Sequence, residues 1–240
     1  MSEILYPEDE AALAAALREA RGPLQIMGGG TRQIGRIAPA QALSTRRVQG
    51  ITLYEPGAMT LVAKTGTAIE DIEAVLAAEK QRLAFEPMDH RAILGTSGQP
   101  TLGGVIAANV SGPRRIQVGA ARDFALGVTF VDGTGQVLSN GGRVMKNVTG
   151  YDLVKLMSGS WGTLGVLTEV ALKAHCQWMP ESRCAQCHQA AAPRLFLYRC
   201  DRELPARQRL YRSVHTRHPG CRHREGCVAG RGRWHPPWWR

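Results

Sequence analysis

Three separated groups of glycine carry the chemistry legible in this 240-residue chain. The first is Gly28-Gly29-Gly30-Thr31, the second is Gly103-Gly104, and the third is spread through residues 141–173, with glycine at 141, 142, 150, 159, 162 and 165. Glycine weakens regular structure, so this density in an apolar and β-branched stretch marks backbone brought close to something flat or charged. Bare amides at 28–30 would bond a pyrophosphate, with the Thr31 hydroxyl as a further donor; a tight turn is the plain alternative. The loop is neither G-x-G-x-x-G nor a Walker A sequence, which argues against Rossmann and P-loop assignments. Gly103 and Gly104 would either let a ring or phosphate reach the backbone or let a helix pack closely. Three backbone-contact sites in one chain point to a long ligand such as a dinucleotide.

Polar side chains near these groups admit two readings each. Ser111-Gly112-Pro113-Arg114-Arg115 is a polar turn whose two guanidinium groups are most simply solvated. Arg122-Asp123 reads either as an ion pair that orders a turn or as an arginine facing a cofactor. Lys146, Asn147 and Lys155 add charge near the third glycine group, and His90 is the only histidine before residue 174. A lone loop histidine is more often structural than catalytic. Before residue 174 there is no convincing nucleophile–base pair and no metal-ligand spacing. After it, Cys184-Ala185-Gln186-Cys187-His188 has the pattern of covalent c-type haem attachment. No export signal accompanies it, and chance accounts for it in so Cys/His-rich a segment. The same residues with Cys176 or Cys200, or Cys221, His223 and Cys227, would be zinc ligands, but no regular spacing supports that.

The elements that must position these groups follow from pattern. Residues 7–20 read as a helix, with Pro7 in the first turn, Glu8, Asp9 and Glu10 favouring its N-terminal dipole, and Leu13 and Leu17 one turn apart. A strand at 24–27 runs into the first glycine loop. Strands at 51–54 and 60–64 flank the turn Glu55-Pro56-Gly57-Ala58. Thr67-Ala68-Ile69-Glu70 fits a capping box for a helix to about residue 80, with Ile69, Ile72, Val75 and Leu76 on one face. A short strand is expected at 83–85, a tightly packed helix start at 101–109, and a hairpin of 124–132 with 136–139. A short helix from Thr149-Gly150-Tyr151-Asp152 should bury Leu153, Leu156 and Met157, and 165–172 closes as a strand. There is no internal repeat.

Composition divides the chain at residue 174. Residues 1–173 hold 17 lysines and arginines against 16 acids; the remainder holds 13 arginines, no lysine and four acids, with all six cysteines and six of the seven histidines. The last isoleucine is Ile116 and the last asparagine Asn147. The overall pI of 9.8 therefore describes the tail, and the body is not read as a nucleic-acid binder. A segment of this composition, at 174–240, is expected to be a product of translation in the wrong frame. A genuine basic tail that docks on a partner or nucleic acid is the alternative. The body has no cysteine, hence no disulfide framework or thiol nucleophile. Its N-terminus, MSEILYPEDEAAL, is acidic and lacks the apolar core of a secretory signal. With no run near the roughly 20 apolar residues of a spanning helix, the body is expected to be soluble and cytoplasmic.

In this order, PLQIMGGGT, FEPMDHRAILGT, TLGGVIAANVSGPRR and NGGRVMKNVTGYDLVKLMSGSWGTLGVLTEV resemble the FAD-binding subunits of bacterial glycolate oxidases, flavoproteins with a vanillyl-alcohol-oxidase (PCMH) type FAD domain. The resemblance covers residues 1–173. It implies an α+β fold of two α/β subdomains, about 1–86 and 101–173, with FAD between them and an irregular or disordered tail. By the same resemblance Gly28, Gly29, Gly30 and Thr31 form the first phosphate loop. Pro87, Thr101, Gly103 and Gly104 approach the flavin and pyrophosphate, and Ser111, Gly112, Arg122 and Asp123 lie in cofactor-facing turns. Gly162, Gly165 and Val166 match the segment whose backbone meets the adenine end. Some flavoproteins of this fold attach FAD through a histidine just after the paired glycines; Gly30 and Thr31 stand there, which implies non-covalent FAD. The implied chemistry is oxidation of glycolate or a similar 2-hydroxy acid. The partners implied are a second flavin subunit and an iron–sulfur subunit, through which the chain would sit beside the inner membrane, and not nucleic acid. Nothing after Lys173 resembles the substrate domain that follows in such proteins, so this chain is expected to be inactive alone. The catalytic residues are not identified by the resemblance.

Overall fold

Asp9, rather than Pro7, sets the start of the first helix, because its carboxylate accepts from the Ala12 amide at 2.7 Å and satisfies an orphan donor of the first turn. The structure, a computed structural model, describes residues 4–34, 40–143 and 150–177. Helix α1 (Glu10–Glu19) buries Leu13 and Ala14 against Leu43, Val131 and Val166. Strand β1 (Leu24–Met27) pairs in parallel with β2 (Gln41–Ser44), which the sequence pattern did not announce because a four-residue strand with one exposed end shows no clear alternation.

Strands β3 (Ile51–Glu55) and β4 (Thr60–Lys64) flank a 3-10 turn at Pro56–Ala58, as the Glu55-Pro56-Gly57-Ala58 signal predicts. Helix α2 (Ile69–Ala78) follows and buries Ile69, Ile72 and Leu76. Its expected capping box does not form. The Thr67 hydroxyl instead accepts from the Gly50 amide at 2.9 Å, and the Ile69 amide finds the Pro100 carbonyl at 2.9 Å. Tertiary partners thus replace the local cap.

Next come β5 (Gln81–Arg82), the single turn α3 (Arg91–Leu94), α4 (Leu102–Ala107) and two further turns, α5 (Arg115–Val118) and α6 (Ala121–Phe124). The strand expected at 83–85 is absent. Leu83, Ala84 and Phe85 are an apolar run because all three are buried, not because they pair in a ladder. Strands β6 (Ala125–Val131) and β7 (Val137–Gly141) form the expected hairpin. In α7 (Leu153–Met157) the buried pair is Val154 and Met157, and Leu156 is 56% exposed, since a helix of one turn presents only its i and i+3 positions to the core.

Strand β8 (Val166–Lys173) lies at the centre of a five-stranded antiparallel sheet of order β3-β4-β8-β6-β7. Its central place explains its near-continuous burial. The Thr168 hydroxyl donates to the Glu10 carboxylate at 2.6 Å and so ties α1 to this strand. The main core, including Leu61, Ile72, Phe85, Val105, Ile106 and Val170, sits where α2, α4 and α7 meet the sheet. Strand β9 (His175–Cys176) pairs with β5. The architecture is the expected mixture of helix and strand. Among the described residues no helix is long and apolar enough to cross a membrane. Lys146, Asn147, the 149–152 helix start before Gly150, and the tail from residue 178 on with its C-x-x-C-H motif lie outside the described residues. The first residues of the tail, expected to be irregular from 174, instead continue the fold, because Ala174 is buried in the core and His175–Cys176 pair with β5.

Phe85→Ala should cost about 3–5 kcal/mol of unfolding free energy, because a fully buried ring is lost from the core. Leu156→Ala should stay within about 0.5 kcal/mol of wild type. Denaturant titration of both variants checks the pair.

Candidate functional site

Loop 28–31, helix α4 and the segment 161–167 enclose a cleft of about 220 Å³. Ten of the residues implicated from sequence meet on its wall: Gly28, Gly29, Gly30, Thr31, Thr101, Gly103, Gly104, Gly162, Gly165 and Val166. Sequence reasoning missed Arg32, Thr45, Ala107, Ala108 and Trp161, which also line it.

The loop owes its glycines to two different constraints. A Cβ on Gly29 would overlap the Gln99 carbonyl oxygen, one on Gly98 would overlap the Gly29 carbonyl oxygen, and one on Gly28 would collide with the Thr101 hydroxyl. Gly29 and Gly98 are small because backbone packs on backbone, and Gly28 because the Thr101 side chain stands against it. Gly30 is different: its φ is +72° with nothing near a built Cβ, so its glycine answers to the left-handed conformation. Among the described residues the amides of Gly28, Gly29, Gly30 and Thr31 donate to no protein acceptor, although Gly29 and Thr31 are buried. Buried amides left unpaired are uncommon, and a run of them is suited to an anion.

The first turn of α4 offers no such donors. Leu102 and Gly103 donate to the carbonyls of Thr67 and Thr65 at 2.9 and 2.8 Å, and Gly104 donates to the Thr101 cap hydroxyl at 3.4 Å. A Cβ on Gly103 would stand 2.7 Å from that of Thr65, so close helix packing is the reason for glycine there. Gly104 faces open space, with only the Thr101 hydroxyl within 4 Å of a built Cβ. The third wall is held when the Trp161 amide donates to the Ala107 carbonyl at 2.9 Å, leaving the indole half-exposed at the cleft.

Arg32 is the one ionisable side chain on the described wall. Its Nε donates to His90 Nδ1 at 3.1 Å, Nη1 to the Gly104 carbonyl at 3.2 Å, and Nη2 to the Met88 carbonyl at 3.4 Å. His90 Nδ1 also lies 3.0 Å from the Met88 carbonyl, so its tautomer decides whether it accepts from Arg32 or donates to Met88. Half-burial pulls the guanidinium below its ordinary pKa, against a smaller opposing effect of Asp89. An arginine directly after Gly-Gly-Gly-Thr was the available signal.

Pro87, Ser111, Gly112, Arg122 and Asp123 stand off this wall. Ser111 Oγ accepts from the Ala121 amide at 2.9 Å, Asn109 Oδ1 from the Arg122 amide at 3.0 Å, and Asp123 Oδ2 from the Ala120 amide at 2.9 Å. Arg122 and Asp123 are 3.9 Å apart and both exposed, so Asp123 acts chiefly as a cap. The Gly112 amide donates to the Phe85 carbonyl at 2.8 Å. Arg114 does not project into solvent: its Nε donates to Glu86 at 2.9 Å, and Arg82 reaches the same carboxylate at 2.9 Å. These two arginines, Arg114 foremost, hold the Glu86 carboxyl below the usual carboxylate range.

A carboxylate depressed in the folded state stabilises fully above its unfolded pKa and loses that contribution as pH falls through the folded value. Glu86→Gln should therefore lower stability at pH 7 and flatten the loss of stability on the acid side. Unfolding midpoints between pH 7 and pH 3, wild type against variant, test this; parallel curves would refute it.

The family model for an FAD binding domain matches residues 2–141. Glycolate oxidase subunit GlcE of Escherichia coli is 42% identical over 152 residues, which cover 63% of this chain and 42% of that protein. A D-lactate dehydrogenase of Anaerostipes hadrus is 31% identical, covering 71% of this chain and 35% of that enzyme. Among solved structures, an alkyldihydroxyacetonephosphate synthase superimposes with a TM-score of 0.57 at 26% identity, over 72% of this chain and 31% of its own. The chain thus spans less than half the length of each of these proteins. With the glycine loop, α4 and the 161–167 segment converging on one cleft, it belongs to the FAD-binding domain family, and FAD is its cofactor.

Proposed function

We propose that this chain is the FAD-binding part of a 2-hydroxy-acid oxidoreductase of the glycolate oxidase type, and that its cleft holds FAD without a covalent bond. The observation that carries the reading is that, among the described residues, the amides at 28–31 have no protein acceptor and the cleft these residues line holds one charged side chain, Arg32. Amides and guanidinium suit a diphosphate. The open face of Gly104 gives the cofactor room against α4, so the residues present fit the group.

When bound, the flavin supplies the two-electron acceptor for oxidation of the hydroxy acid to its 2-oxo acid. The described residues bind and orient. Loop 28–31 offers hydrogen bonds without reorganisation, because its packing on 98–101 fixes it in place. No carboxylate, histidine or lysine lines the described wall to accept the substrate's hydroxyl proton. That step belongs to groups beyond this wall, and we do not expect turnover by this domain alone. Likeness to a glycolate oxidase subunit supports glycolate or a similar small acid as substrate. Likeness to a protein named as a subunit supports assembly with other subunits; we take these to be a second flavin subunit and an iron–sulfur subunit, with the complex in the cytoplasm at the inner membrane. The balanced charge of residues 1–173 supports a partner other than nucleic acid.

The test is a visible spectrum of the purified chain before and after acid precipitation. Flavin bands that move to the supernatant are expected. Colour retained in the pellet would mean a covalent bond, and protein that stays colourless when given FAD would refute the reading.

Two glycine variants separate packing from binding. Gly29→Ala should destabilise the fold by about 3 kcal/mol, since the loop and the 98–101 backbone cannot both stay in place. Gly104→Ala should keep or raise the melting temperature, as alanine favours helix by about 1 kcal/mol, while weakening FAD about tenfold. Thermal melts and FAD titration of both variants check the contrast.

A further inference from the structure

We infer that Arg32 supplies the positive charge that neutralises the FAD diphosphate, and that its ties to Gly104, His90 and Met88 aim it at that group. The inference rests on the reading of the cleft as an FAD site and names the side chain that completes it.

The guanidinium is half-buried and lies within hydrogen-bond reach of two carbonyls and the His90 ring nitrogen. Among the described residues no carboxylate forms an ion pair with it; Asp89, its nearest electrostatic partner, is instead bound by Arg91 at 2.8 Å. The Asp89 charge offsets only part of the cost of drawing this cation out of water, and an anion on its open side would complete the compensation. Arginine carries five donor hydrogens in a fixed fork, and three are spent on these contacts. The remaining hydrogens on Nη1 and Nη2 are left for a ligand. Arg32 follows Thr31 directly, so its charge stands beside amides that have no acceptor. Two independent sets of unfilled donors, main-chain and side-chain, then meet on one wall. Because Nη1 also holds the Gly104 carbonyl, the same residue links the glycine loop to α4 across the cleft.

A purely structural tie would predict a different response from a charge contact, and salt separates them. The full chain, stripped of FAD, is titrated with FAD at several salt concentrations as wild type, R32Q and R32K. R32Q should weaken FAD about tenfold or more, the scale of a charge-assisted hydrogen bond. It should also show a shallower salt dependence, because one screened charge pair is gone. R32K should keep the wild-type salt dependence. Affinity of R32Q within twofold of wild type overturns the inference, and so does a loss with unchanged salt dependence, which would leave Arg32 a structural tie only. Wild-type protein that binds no FAD would instead overturn the reading of the cleft itself. A second measurement needs no variant: phenylglyoxal labelling of Arg32 in wild type, located by peptide mass. FAD and ADP should protect Arg32 and adenosine should not. Equal labelling with and without FAD overturns the inference.

Discussion

At Gly29 and Gly98 two backbones meet so closely that neither residue has room for a side-chain carbon. The rest of the site depends on this contact. It brings the loop after β1 against the segment that leads into α4, so that two stretches about seventy residues apart in sequence share one wall. Among the described residues the loop so held leaves its amides without a protein acceptor. A loop held by flexible side chains would have to be ordered each time a ligand arrived; one clamped by its backbone is ordered already.

Donor capacity is divided between the two elements in an uneven way. The amides that open α4 are consumed by the carbonyls of Thr65 and Thr67, and Thr65 is in turn bound to the central strand through its hydroxyl, which donates to the Leu167 carbonyl at 2.8 Å. Helix α4 is thus a support, fixed to the sheet at its start and presenting Gly104 as a smooth face. Among the described residues the unspent donors of this wall lie on loop 28–31 and on Arg32. Farther off, Glu86 gathers Arg82 and Arg114, and the 109–123 turns close through their own hydrogen bonds. Those polar residues hold the flank of the domain and do not face this cleft.

Much of this was legible in the chain itself. The glycine loop after a strand, the Glu55-Pro56-Gly57-Ala58 turn, the hairpin around Gly133 to Gly135 and the apolar face of α2 each declare themselves through local geometry. Local rules misled where a partner distant in sequence was available. Thr67 left its capping box for Gly50, the 83–85 run proved to be core and not ladder, and Leu156 turned outward from a helix too short to carry a full apolar stripe. The short strand β2 is held by tertiary pairing, with β1 on one edge and Leu5 on the other.

Sequence alone therefore determined the ingredients: backbone-exposing glycines, most of the elements that carry them, and a body whose charges balance. Tertiary structure decided the assignments. Only the folded chain could tell Gly103, which is small because Thr65 stands against it, from Gly104, which is small beside open space. Only it could show that, among the described residues, the α4 amides are spent while those of 28–31 are not, and that Arg32 bonds carbonyls and forms no ion pair with a carboxylate. The physical reason is common to all three. A residue's type fixes what it can donate, accept or exclude, whereas what remains unsatisfied depends on partners that other parts of the chain bring to it.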